Sequence, residues 1–219
     1  MPCRYICDRA FCKIMKSNIL IPALCSFLFL GFSNIAAQTA FSTTNDNLIK
    51  KADSLKLFYF KSTEPNGAIY QLQFFDVFPN SFTELCALYG RGENTSALLY
   101  YDAKNHIGLF NKLFVVNDTA YYKKMVRIAI GGQWAIDAVS YFQDGMHDRV
   151  VSDPDLTVYV LKDYSNILIK NFWHFYFDGP HPEASLATEL QKIKDINSKM
   201  YRIIITSQQN AINTINNNH

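Results

Sequence analysis

Of the five cysteines in this 219-residue chain only Cys86 lies beyond residue 37. The body of the protein therefore has no intramolecular disulfide open to it, even where an oxidising compartment would permit one. Cys86 itself, in Leu85-Cys86-Ala87-Leu88, reads as a small apolar core residue. Charge of one sign is also missing. Beyond residue 37 the count is 17 Lys and Arg against 18 Asp and Glu. The basic doublets, Lys50-Lys51 and Lys123-Lys124, fall in helical contexts where a solvated face accounts for them. Without a concentrated basic surface no nucleic-acid partner is expected. The chain has no Gly-x-Ser-x-Gly, no phosphate-cradling glycine loop and no Cys-x-x-Cys, which removes the commonest serine-hydrolase, nucleotide-binding and redox readings. Finally, its apolar stretch from Ile19 to Phe32 is broken by Pro22 and Gly31 and falls short of the roughly 20 apolar residues of a relaxed bilayer span.

What that stretch does resemble is the middle of an export signal. Lys16 precedes it, the apolar run follows, and Ala36-Ala37-Gln38 supplies the small-residue exit. The expectation is a leader over residues 1–37 with a mature start near Gln38, and a periplasmic or extracellular destination. Leu24 stands where a lipid-attachment site at Cys25 would want a small residue, so lipidation is not expected. Cys3, Cys7 and Cys12 precede Met15, a second candidate initiator.

Beyond the leader the pattern is helical almost throughout. Residues 38–45 read as a flexible lead, residues 46–210 as one domain of about eight helices in a layered, orthogonal bundle, and residues 211–219 as a disordered Asn-rich tail. About 180 residues suffice for one ordinary core. Leu48, Ala52, Leu55 and Tyr59 share one helical face, and Glu64-Pro65-Asn66-Gly67 ends that helix. Ser81-Phe82-Thr83-Glu84 has the capping-box order and Gly90 follows as a stop. Asn117-Asp118-Thr119 opens a helix that Gly131-Gly132 closes. Another runs from Gln133 to about Val151, Asp153-Pro154 starts the next, and Glu183 to about Asn210 forms the last. Ile69–Phe78 is read as helix, whereas Thr157-Val158-Tyr159-Val160 suits either helix or strand.

The densest chemistry lies in Phe172-Trp173-His174-Phe175-Tyr176-Phe177-Asp178-Gly179-Pro180-His181-Pro182. His174 and Asp178 are four apart on a helix and His181 can fold back from the turn, which is a legal zinc ligand set. The alternative is a tight interhelical connection, with Gly179 in the left-handed C-terminal position and Pro180 and Pro182 shaping the turn. A second polar stripe, Asp137, Asp144 and Asp148 with His147, could join the first in one cleft.

The His-x-x-x-Asp spacing resembles, over about eleven residues, that of secreted all-α zinc phospholipases and nucleases. Their pattern continues to a later histidine and uses an N-terminal tryptophan, whereas here the third histidine, His181, comes only three after Asp178 and the expected N-terminus is Gln38. A wider resemblance rests on Phe74-Phe75-Asp76-Val77-Phe78-Pro79-Asn80-Ser81-Phe82, Gly131-Gly132-Gln133-Trp134 and Phe177-Asp178-Gly179-Pro180-His181-Pro182. In that order behind an export signal, they look like exported all-α proteins of unknown function from Bacteroidetes-type bacteria. The resemblance implies an envelope location and carries no activity.

Two functions follow as expectations. The preferred one is a non-enzymatic helical module that binds another protein, as an inhibitor or immunity partner does, with no cofactor. The alternative is a zinc-dependent hydrolase of a phosphoester or cell-envelope substrate using His174, Asp178 and His181, with Asp144 and His147.

Overall fold

The computed structural model describes residues 32–92, 95–135, 137–180 and 186–216; residues 1–31, the greater part of the expected leader, lie outside them, as does His181. The fold is all-α. Its helices are α1 (Phe32–Ser62), α2 (Ala68–Val77), α3 (Phe82–Tyr89), a 3-10 turn (Tyr100–Asp102) running into α4 (Ala103–Asn111), α5 (Asp118–Ala129), α6 (Ala138–Ser152), α7 (Pro154–Leu161), α8 (Asn166–Phe177), α9 (Thr188–Gln191), α10 (Ile193–Ile196) and α11 (Ser198–Asn216). The only extended pairing among the described residues is an isolated bridge between Arg91 and Ser96. No helix among them is long and apolar enough to cross a membrane.

Helix starts follow local chemistry wherever a side chain can reach the free N–H groups of the first turn. Ser81 Oγ accepts from the Glu84 N–H at 3.2 Å, and Glu84 Oε2 in turn accepts from the Asn80 N–H at 2.7 Å. Asn117 Oδ1 accepts from the Ala120 N–H at 3.3 Å and Asp153 Oδ1 from the Leu156 N–H at 2.9 Å, each satisfying a donor the helix itself cannot. The segment Thr157–Val160 is helix, carried by that cap and by Pro154.

Four expected boundaries are corrected. Helix α1 already includes Phe32, the first described residue, so residues 38–45 are helical and the expected processing junction at Gln38 falls inside it. Helix α6 begins at Ala138 rather than Gln133, because Asp137 takes φ 65° and ψ −117°, incompatible with a helical turn. The run from 183 to 210, read as one helix, is three pieces among its described residues, which raises the number of segments above eight. Asn197, at φ −151°, leaves the helix and starts α11 with its Oδ1 accepting from the Met200 N–H at 3.0 Å. Helix α11 then continues to Asn216, into the expected tail. Gly179 is not left-handed either: among the described residues Gly131, at φ 79°, is the glycine with positive φ.

The core is aromatic at its centre. Phe110 is fully buried, with its ring stacked on Phe78 at 4.1 Å and on Tyr121 at 4.8 Å between centroids, offset geometries worth about 0.5–1.5 kcal/mol each beyond area burial. Around it close Leu55 from α1, Leu85 and Leu88 from α3, Phe142 and Met146 from α6, and Phe172, Trp173 and Phe175 from α8. Gly145 lets α4 and α6 approach: a Cβ there would lie 2.0 Å from the Asn111 side chain, whose Nδ2 donates to the Tyr141 carbonyl at 3.0 Å.

Candidate functional site

A helix ends with carbonyl groups that its own backbone cannot satisfy. In this fold many of them are taken by buried or half-buried polar side chains reaching across from α5 and α6. Gln143 Nε2 donates to the carbonyls of Phe175 and Asp178, each at 2.6 Å, at the end of α8. One turn further along α6, His147 Nε2 lies 2.6 Å from the Tyr176 carbonyl. A carbonyl can only accept, so Nε2 carries the proton. The His147 ring also packs on Tyr176, centroids 4.4 Å apart. Arg149 donates to the Asn111 and Leu113 carbonyls at 3.1 and 3.0 Å, closing the end of α4. Its guanidinium lies 4.5 Å from the Tyr121 ring centroid.

Lys124 does the same for α2 and corrects the reading of Lys123-Lys124 as a solvated face. It is 4% exposed, and its Nζ donates to the carbonyls of Phe75, Asp76 and Phe78 while lying 4.6 Å over the Phe75 ring. Burial, with the nearby charges of Lys51 and Arg127, pushes this ammonium down to about 8, against the opposing pull of Asp76 and Glu84. Lys51 forms an ion pair with Glu84.

The two polar stripes are separated by this arrangement. Asp178 is not on the helical face of His174: it is the residue at which α8 ends, and its Oδ2 accepts from the Trp134 N–H at 2.7 Å. His174 is exposed and lines a groove between α8 and α11. Asp144 lines another cleft, bounded by α1, α4 and α6. Asp148 is exposed, and Asp137, off the helix, accepts a hydrogen bond from the Tyr100 hydroxyl at 2.7 Å. That bond holds the Tyr100 phenol above its usual range. Among the described residues no three of His, Cys, Asp or Glu stand close enough to hold one metal ion. Cys86 is half-buried against the core.

Sequence reasoning missed His106. It is buried, 3.2 Å from the Tyr89 hydroxyl through Nδ1, with its ring 4.9 Å from that of Tyr59 and 5.7 Å from that of Phe74. Burial pushes the imidazole down to about 4, outweighing the upward pull of Asp102, and burial also raises the Tyr89 phenol. The available signal was its place in Ala103, His106, Ile107 and Phe110, a buried face at helical spacing. Comparison with known proteins finds no matching family model, and no curated protein or solved structure that matches the chain.

Proposed function

We propose that the chain is an exported, non-enzymatic helical module that binds another protein, using the outer face of the α1–α2 hairpin. The observation that carries this reading is the apolar surface the hairpin leaves in solvent. Phe60 is 68% exposed, Leu57 49% and Ile49 41%, and Ile69 and Leu72 of α2 are also exposed. On α1 the three lie at i, i+8 and i+11, within one sector of a 3.6-residue helix. Single exposed apolar residues are ordinary, whereas several on one element mark an interaction surface. An amphipathic hairpin of this kind suits a partner that supplies an apolar groove or helix face. Phe60, the most exposed of the five, is the expected anchor.

Export is supported by the Lys16–Gln38 pattern, which resembles a cleaved leader. The resemblance to exported Bacteroidetes-type proteins points the same way. Two of the five residues considered for a zinc hydrolase are engaged in helix and loop contacts: Asp178 holds the Trp134 N–H and His147 the end of α8.

The test places a photo-crosslinking amino acid at position 60 and, in a separate chain, at position 159 on α7, and irradiates cells of the native host. A discrete adduct from position 60, lost when Leu57→Glu is added, supports the reading. No adduct from position 60, or the same adducts from both positions, contradicts it. Mass spectrometry of the envelope protein should show a chain beginning at or near Gln38; intact chain starting at Met1 or Met15 in the membrane fraction would overturn the export reading.

A further inference from the structure

Helices α8 and α11 enclose a groove of about 550 Å³ whose polar lining is of one electrostatic kind. Lys170 and His174 project from α8, four residues apart, and Lys199 and Arg202 from α11, three apart. No Asp or Glu among the described residues lines it. The ion pairs among the described residues are Lys51 with Glu84 and Lys56 with Asp102, so none of the groove's three permanent cations is neutralised by another described residue. This contrasts with Lys124 and Arg149, which spend their donors on helix ends. Beside the cations sits Ser207, 8% exposed. It lines the groove.

We infer that this groove is a binding site for a phosphate group. Three fixed positive charges exceed what one carboxylate would balance and suit a dianion. The Arg202 guanidinium supplies a planar fork of donors and the two lysines supply point charges, the usual division of labour around phosphate oxygens. The Ser207 hydroxyl and the Asn171 amide add neutral donors without adding charge. The volume lies within the roughly 300–1,000 Å³ of small-ligand sites, and the near balance of 17 basic and 18 acidic residues beyond residue 37 leaves no extended basic track for a polymer backbone. The phosphate belongs to a soluble phosphomonoester or to a phosphomonoester lipid headgroup, which share this chemistry. His174, first considered as a metal ligand, is on this reading a rim donor to the anion.

The experiment titrates the full chain at low ionic strength with inorganic phosphate, by calorimetry and by amide chemical shifts, and separately with vesicles of phosphatidic acid in phosphatidylcholine. Phosphate should bind, with shifts confined to α8 and α11. Arg202→Gln and Lys170→Gln should each weaken it by at least about tenfold, as expected for loss of a charged hydrogen bond. Lys50→Gln, outside the groove, should not. Vesicle binding that free phosphate displaces identifies a headgroup, and phosphate binding without vesicle binding identifies a soluble ester; both support the site. Binding to neither probe, shifts elsewhere on the surface, or binding equally weakened by Lys50→Gln would overturn it.

Discussion

The two sides of helix α8 meet polar side chains that are put to opposite uses. On the side facing α6, Gln143, His147 and Asp178 are all engaged, holding the Phe175, Tyr176 and Asp178 carbonyls and the Trp134 N–H. On the side facing α11, Lys170, His174, Lys199 and Arg202 line an open groove without ion pairs among the described residues. A buried donor must find an acceptor or cost about 1–3 kcal/mol, and the ends of α2, α4 and α8 supply acceptors where α5 and α6 cross them. Solvent satisfies the groove cations without that constraint. A polar side chain here is structural where a helix terminus meets it and available for binding where none does.

The largest expected effect lies at a third histidine, the buried counterpart of exposed His174. His106 is held near 4 in the folded state against an ordinary value of about 6.5. The unfolded chain therefore takes up the proton first as pH falls, and the proton favours unfolding. Stability from this group is complete above about pH 6.5 and falls toward pH 4, by on the order of 3 kcal/mol. Urea denaturation across that range should show the slope, and His106→Phe should flatten it. A slope unchanged in the variant would mean that other groups carry it.

Gln143→Leu should cost about 2 kcal/mol in the same assay, because two carbonyls at the end of α8 lose their donor. A cost below about 0.5 kcal/mol would mean that α8 ends without needing the cap. Asp178→Ala should cost about 1 kcal/mol through loss of the single bond to Trp134, and zinc should not alter the difference. Gly179→Ala should be nearly silent, within about 0.5 kcal/mol. Its φ is not positive, and an added Cβ would meet only the Trp134 ring at 3.8 Å, contrary to the left-handed role its place after α8 suggested. The groove pair Lys170→Gln with Arg202→Gln should likewise leave stability within about 0.5 kcal/mol. A larger loss would show that these cations are structural.

The parts of the fold legible in the sequence are those whose cause is local. Ser81, Asn117 and Asp153 cap the helices that they announced, because a side chain and the N–H two or three residues on are neighbours in any helix. Core faces were also legible: Ala52 and Leu55, read on one face of α1, are buried. Periodicity misled where burial continues across a break. Leu190, Ile193, Met200 and Ile204 are all buried, yet Asn197 interrupts the helix between them. The late start of α6 was hidden because Asp137 is engaged by Tyr100, 37 residues away.

The candidate site was legible in its residue types and not in its partners. His174 and His147 were both picked out as potential ligands. Their separation depends on contacts no spacing rule reaches, between His147 and Tyr176, 29 residues apart, and between Gln143 and Asp178, 35 apart. Lys124 looked like half of a solvated doublet because its acceptors lie 46 to 49 residues earlier.

The central claim, that α8 has one committed and one uncommitted side, is tested most directly by its two flanking histidines. His147→Ala and His174→Ala are each melted in urea with and without equimolar zinc. The account predicts that His147→Ala costs about 1–2 kcal/mol, from the lost bond to the Tyr176 carbonyl and the lost ring contact, that His174→Ala stays within about 0.5 kcal/mol of the parent, and that zinc shifts neither difference. Stabilisation of the parent by zinc, abolished equally by both substitutions, would contradict it, because the two histidines would then share one metal rather than lie on separate sides of the helix.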